Sequence, residues 1–213
     1  MAKRITIVAN GSFPKSRAAI SALESCDILI CCDGAAEQLI LNGYTPHHIV
    51  GDMDSLSDDL QERFRDIIYP ISSQENNDLT KAFNFARTLD AGDIKFVGAT
   101  GKREDHTLGN ISLLAEYANY GTGVLEMITD YGKFVSIKVE KEATFDSTKD
   151  QSISIFTFDQ SVKIKSEGLL YPTDDVEFNT LWKATLNRAS GQTFKLKVDH
   201  PSILLIYFAD LCL

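Results

Sequence analysis

Apolar residues along this chain come first in short blocks that alternate with stretches of helical spacing, and later in short blocks alone. Residues 5–9 form a compact apolar run ending at Asn10-Gly11, the pattern of a buried strand that feeds a loop. Residues 27–32 repeat the design and end at Asp33-Gly34-Ala35-Ala36, where Gly34 permits a tight turn and the alanines open a helix reaching Asn42-Gly43. Ile49-Val50 predicts a third strand and residues 66–69 a fourth, with a helix between them that starts behind the Ser57 cap. Over residues 78–89, Leu79, Ala82, Phe83, Ala86 and Leu89 fall on one stripe of 3.6-residue spacing, so a helix faces a core. Residues 94–97 predict another buried strand, and Leu108, Ile111, Ala115 and Ala118 a further amphipathic helix starting near Asp105. Residues 124–129 complete the series.

Strand and helix alternating in this way imply right-handed crossovers and a mainly parallel sheet with helices on both faces. Beyond Gly132 the texture changes. Residues 134–139, 152–158, 162–165, 192–198 and 203–208 are β-type runs separated by turn residues, with little helical periodicity. The predicted fold class is therefore α/β over residues 1–132, followed by a smaller all-β domain of sandwich type over residues 133–213.

The 213 residues carry a formal net charge of −9, which argues against non-specific binding to nucleic acid or to an anionic membrane surface. A polyphosphate would need a metal to approach such a protein, whereas a cationic small molecule would not. Cys26, Cys31, Cys32 and Cys212 include no C-x-x-C pair, and three of them sit in or beside one apolar run, a pattern of reduced, core-packed thiols. The start, Met-Ala-Lys-Arg-Ile-Thr-Ile-Val, has too short an apolar run for a signal sequence, and no run is long enough to span a membrane. A cytoplasmic protein is expected. Trp182 reads as core packing ahead of an aromatic platform for a cationic ring.

The chemistry centres on Gly51-Asp52-Met53-Asp54-Ser55. If the third strand continues through Asp54, Asp52 and Asp54 point to one face with Cα atoms roughly 7 Å apart. Two such carboxylates repel by about 4 kcal/mol at close approach in a moderately screened site. A hard cation removes that conflict, and Mg²⁺ takes one or two carboxylates plus water and substrate phosphates. A solvated acidic turn capping the next helix is the competing reading. Asp78 and Asp105 stand at helix starts, where acids also serve as caps, yet in a parallel sheet all four acids would share one edge. Helix amino ends there offset carboxylate repulsion and favour phosphate. Gly98 to Lys102 is too short for a P-loop and lacks its Ser or Thr, so Lys102 and Arg103 remain either phosphate contacts or solvated loop residues. His106 reads as structural, and no Ser-His-Asp arrangement is legible.

Taken in order, Asn10-Gly11, Cys32-Asp33-Gly34-Ala35, Gly51-Asp52-Met53-Asp54-Ser55, residues 74–81 and residues 98–110 resemble the thiamine pyrophosphokinase family. The G-D-x-D-S and R-x-D-H-T-L-x-N-I elements are specific together, and Gly168-Leu169-Leu170-Tyr171-Pro172 is similar to the family's G-L-K-Y-P segment. The resemblance implies an α/β catalytic, ATP-binding domain and a β-sandwich domain for thiamine binding and dimerisation, in a homodimer that binds thiamine where the subunits meet. The implied reaction moves diphosphate from ATP to the thiamine hydroxyl and releases AMP. By position, Asp52, Asp54, Asp78 and Asp105 would hold Mg²⁺ or position the hydroxyl. Asn10, Asp33, Gly34, Lys102 and Arg103 would belong to the nucleotide site, and Gln74, Asn77, Arg103 and Asn187 would contact thiamine or the phosphates. The family's Thr-Asp is Asn77-Asp78 here, its Lys is Leu170, and its Ser-Asn is Leu186-Asn187. These departures keep two alternatives in view: a Mg-nucleotide-dependent diphosphotransferase acting on another alcohol, and a noncatalytic nucleotide or thiamine sensor.

Overall fold

The structure, a computed structural model, describes residues 2–121 and 123–210. Of the four cysteines, Cys212 lies outside them, while Cys31 and Cys32 are buried and Cys26 partly so. The chain divides into two compact units, Met1–Leu113 with Thr122–Asp130, and Leu114–Gly121 with Tyr131–Leu213.

In the first unit the apolar runs become β1 (Lys3–Val8), β2 (Ile28–Cys32), β3 (His48–Gly51), β4 (Ile68–Pro70), β5 (Ala91–Val97) and β6 (Leu125–Thr129). They pair in the order β6-β5-β1-β2-β3-β4, each pair parallel. All five residues of β2 are buried, as a central parallel strand requires. The connecting helices are α1 (Arg17–Glu24), α2 (Asp33–Leu41), α3 (Asp58–Phe64), α4 (Asp78–Arg87) and α5 (Glu104–Tyr117). The α4 stripe is present from Leu79 to Ala86, with Leu79, Ala82, Phe83 and Ala86 buried, but the helix ends at Arg87 and leaves Leu89 beyond it and only partly buried.

Helix α1 escaped the periodicity reading because it is only eight residues long. Its signal is local: the Ser16 hydroxyl accepts from the Ala19 N–H at 3.2 Å, and Ala19, Ala22 and Leu23 are buried. Ser57 does stand at the N-cap of α3 but makes no side-chain cap bond, and α3 buries no residue. Instead Gln61 donates to the carbonyls of Met53 and Leu56, at 3.3 and 2.9 Å, and ties the helix to the loop before it. A short 3-10 turn, Arg65–Ile67, delays β4 to Ile68.

The second unit contains β7 (Gly132–Val139), β8 (Glu142–Asp146), β9 (Ser152–Phe156), β10 (Ile164–Glu167), β11 (Asn187–Arg188), β12 (Thr193–Val198) and β13 (Ser202–Ala209). These pair antiparallel in two groups, β11-β9-β13-β7 and β10-β12-β8. One hydrophobic cluster draws on both groups, including Ile153, Leu204 and Ile206 from the first and Phe145, Ile164, Phe194 and Leu196 from the second. Phe145 stacks on Phe194 with ring centroids 5.1 Å apart. Strand β8 was not legible because only Phe145 of its five residues is buried. The core role expected of Trp182 does not hold: its residue is 68% exposed. It sits outside any strand, in a turn closed by Thr185, whose hydroxyl donates to the Trp182 carbonyl at 2.8 Å. The Lys183 ammonium lies 4.9 Å from its ring.

Candidate active site

The strand order places β1 beside β5, although three strands and their helices separate them in sequence. Here the direction of the crossovers reverses, which is where open α/β sheets bind ligands, beyond the carboxyl ends of the strands. The loops after these two strands are fastened together. The Gly11 N–H donates to the Gly98 carbonyl at 2.5 Å, that of Ser12 to Thr100 at 2.8 Å, and the Ser12 hydroxyl to Gly101 at 2.7 Å. Above them opens a cleft of about 430 Å³. Asn10 and Gly11 line it from the β1 side and Thr100, Lys102 and Arg103 from the β5 side. Asn77 and Asp78 contribute the start of α4, and His106 and Asn110 the first turns of α5. The Lys102 ammonium donates to the Asn10 side-chain oxygen at 3.0 Å, so two residues 92 apart in sequence meet at the rim. Asn110 holds the β5 loop from beneath, donating to the Ala99 carbonyl at 2.8 Å.

At this edge Asp33, Asp52 and Asp78 come together, with one carboxylate oxygen of each inside 4.8 Å of the others. Asp33 opens α2, Asp52 follows β3, and Asp78 opens α4. Asp33 is 1% exposed, and both of its oxygens accept from backbone N–H groups, Gly34 at 2.7 Å and Met53 at 2.9 Å. It thereby fixes the G-D-x-D loop to the end of β2. Burial raises its pKa, the Asp78 and Asp52 charges add to that, and the two backbone bonds only partly oppose it. Asp52 is held below the usual carboxylate range, first by the Lys81 ammonium and then by the Asp54 N–H, with Gln74 donating to it at 3.3 Å.

Lys81, one turn into α4, is 4% exposed. Its ammonium lies 3.0 Å from an Asp78 oxygen and 3.2 Å from an Asp52 oxygen. Burial pulls its pKa down, but the hydrogen bonds to Asp78 and Asp52 outweigh it and leave the pKa raised. Sequence reading passed over this residue. The Asp78 to Lys81 spacing, three residues on a helix, was the available signal.

The strand does not continue through the D-x-D pair. Strand β3 ends at Gly51 and Met53 turns the chain with φ of 71°, so the two-residue alternation that would aim Asp54 alongside Asp52 is broken. Asp54 is exposed and stands outside the three-carboxylate cluster. Asp105 also stands outside it, paired with the Arg103 guanidinium at 2.6 and 3.1 Å, which holds the carboxyl low. Asn77 caps α4, its side-chain oxygen accepting from the Thr80 N–H at 2.9 Å. Asn187 belongs to the second unit, where its oxygen accepts from the N–H groups of Tyr171 and Arg188 and its amide donates to the Tyr171 carbonyl at 2.6 Å. It shapes the backbone of the Gly168 to Pro172 segment.

Residues 20–125 match the family model described as the thiamin pyrophosphokinase catalytic domain, and residues 132–207 match that of its substrate-binding domain. Thiamine pyrophosphokinase of Bacillus subtilis (strain 168) is 26% identical over 151 residues, 67% of this chain and 69% of that protein. Thiamine pyrophosphokinase 1 of Oryza sativa subsp. japonica is 28% identical over 115 residues, 42% of this chain and 44% of the rice protein, so that match spans less than half of the relative's length. The crystal structure of thiamine pyrophosphokinase from Bacillus subtilis is similar in fold, with a TM-score of 0.79 at 20% identity over 98% of this chain and 100% of that one. Matched in order by the catalytic and then the substrate-binding domain, the chain belongs to the thiamin pyrophosphokinase family of enzymes.

Proposed function

We propose that the cleft over β1 and β5 holds ATP and that the Asp33, Asp52 and Asp78 cluster holds Mg²⁺ against its phosphates. Thiamine pyrophosphokinase activity, with ATP and thiamine as the two substrates, comes with the family. In that reaction the thiamine hydroxyl oxygen bonds to the β-phosphorus of ATP, the bond from that phosphorus to the α,β-bridging oxygen breaks, and AMP leaves. The observation that carries the metal reading is the convergence of three carboxylate oxygens within 4.8 Å of one another, one of them from Asp78, which lines the cleft. All-oxygen donors suit a hard cation such as Mg²⁺, which keeps room in its shell for phosphate. Bound there, Mg²⁺ would neutralise phosphate charge and polarise the group being transferred.

The chain's own residues do the positioning. Asn10 and Lys102, joined across the rim, and Gly34, whose lack of a side chain leaves space for the Asn10 amide, form the nucleotide side. Arg103 offers a planar guanidinium to phosphate once it parts from Asp105. Gln74 and Asn77 flank the acids on the acceptor side. Asp54 and Asp105, outside the cluster, are the acids left to orient the hydroxyl. A carboxylate is a weak base for an alcohol, so holding the reactants in line contributes more than proton removal. Helices on both faces of the sheet are part of the same reading, because right-handed crossovers that reverse direction after β4 change face. A cytoplasmic homodimer completes it, supported by the buried thiols of Cys31 and Cys32 and by exposed Leu170, Tyr171, Trp182 and Leu186 on the second unit.

The test is incubation with ATP, Mg²⁺ and thiamine, followed by mass detection of thiamine diphosphate and AMP. Asp52→Asn is expected to lower turnover on the order of a hundredfold or more while circular dichroism stays native. Wild-type turnover in that variant would overturn the metal role. Exposed Leu170 and Leu186, where the family has Lys and Ser, favour another alcohol as the second reading. A panel of acceptors separates the two, and binding of both ligands without any AMP would identify a sensor.

A further inference from the structure

Lys81 is an ammonium with 3% of its side chain exposed, and such a charge is tolerated inside a protein only when it is paired. Two of its three N–H donors have acceptors on different elements: Asp78 belongs to its own helix, Asp52 to the loop after β3, 29 residues earlier. An i,i+3 pair that served only α4 would not need the second acceptor. Asp33, the third acid, is fixed by backbone N–H groups, has a carboxylate oxygen within 4.8 Å of those of the other two, and among the described residues has no ion-pair partner. Three ionised carboxylates against one ammonium leave a local charge of about −2, the complement of a divalent ion.

We propose that Lys81 is the resident counter-cation of this cluster: it clamps Asp52 and Asp78 together before metal arrives and sets how tightly the free protein holds Mg²⁺. The inference rests on the metal reading above and assigns Lys81 as a positioning residue. An ammonium this close repels an incoming cation while stabilising the arrangement that receives it. Even at the dielectric constant of water, a unit charge about 5 Å from a divalent ion changes affinity by roughly tenfold. The lysine therefore keeps the cluster assembled yet weak for bare metal, so that Mg²⁺ is retained mainly together with polyphosphate.

The experiment compares wild type, Lys81→Met and Lys81→Arg by Mg²⁺ titration calorimetry without nucleotide and by thermal unfolding with and without Mg²⁺. Lys81→Met is expected to bind Mg²⁺ on the order of tenfold more tightly. It should unfold at lower temperature than wild type in chelator and recover most of the difference in saturating Mg²⁺. Lys81→Arg, which keeps the charge, should follow wild type. Equal Mg²⁺ affinity in wild type and Lys81→Met would overturn the proposal. So would equal destabilisation with and without Mg²⁺, failure of Lys81→Met to fold in either condition, or an Arg variant that behaves like Met. A wild-type protein that binds no Mg²⁺ even with ATP present would instead sink the metal reading itself, and the counter-cation with it.

Discussion

A methyl group at position 51 would stand 2.5 Å from the carboxyl carbon of Asp33, closer than real side chains approach. Asp33 cannot yield freely, because each of its oxygens is already committed to a backbone N–H. Gly51→Ala is therefore expected to push the carboxylate off Gly34 and Met53, destabilising the protein by about 1–3 kcal/mol. Turnover should fall further than that loss explains, because the same carboxylate lines up the G-D-x-D loop. Urea denaturation beside a thiamine diphosphate assay measures both, and a variant with native stability and turnover would remove Asp33 from this role. The requirement for glycine could be read from sequence as close backbone approach, but not its partner, since Asp33 lies 18 positions away.

Among the connections of the second unit, a side-chain clasp joins its loops. His200, in the turn between β12 and β13, bonds Asp159 at 2.8 Å through Nε2 and Asp199 at 3.0 Å through Nδ1. Asp159 also accepts from the hydroxyls of Ser161 and Ser202, at 2.6 and 2.8 Å. Because Ser161 donates to Asp159 and only approaches the imidazole, at 3.5 Å, this Ser, His and Asp neighbourhood lacks an activated nucleophile. The Asp159 bond, then the Asp199 charge, raises the His200 pKa above its ordinary 6.5 despite some opposing desolvation. Its stabilisation is thus fully present below about pH 6.5 and fades as pH rises through the folded-state value. Asp159 works in the opposite direction: held far below the usual carboxylate range by Ser161, Ser202 and His200, it stabilises above its unfolded pKa and loses this in acid. His200→Gln should therefore be less stable than wild type at pH 6, with the gap shrinking by pH 9, as read by denaturant titration at each pH. A gap independent of pH would mean that charge on the imidazole is irrelevant. Elements of this unit were legible where apolar residues alternate, as in β12, or run on unbroken, as in β13. The two-residue β11 pairs with Ser152 and Ile153 of β9 while the Asn187 amide ties it to Tyr171, and pattern counting has no handle on such a strand.

Across the whole molecule, most strands and helices were readable in order because their apolar runs carry a clear period, with α1, β8 and β11 the exceptions, whereas the site was readable only in part. Asp52 and Asp78 could be placed at strand and helix ends from sequence. Asp33 and Lys81 could not be assigned to the same cluster, since their convergence depends on β2 and β3 being neighbours and on α4 folding back to that edge. Exposure is another property that pattern conceals: Leu186, 77% exposed with φ of 58°, adjoins Asn187, which anchors the also exposed Leu170-Tyr171 segment. Such a patch supports self-association, and sedimentation should find a dimer that Leu186→Glu drives towards monomer without loss of secondary structure. A wild-type monomer at micromolar concentration would contradict it. The reversal of strand order beside β1 bears on where changes of length are tolerated. The backbone leaves the middle of the parallel strands first one way and then the other, so the reactive rim is central, and α3 with the 3-10 turn, residues 58–67, leads to the edge strand β4. A length change in that outlying span, where α3 buries no residue, therefore has the farthest to travel before it disturbs chemistry.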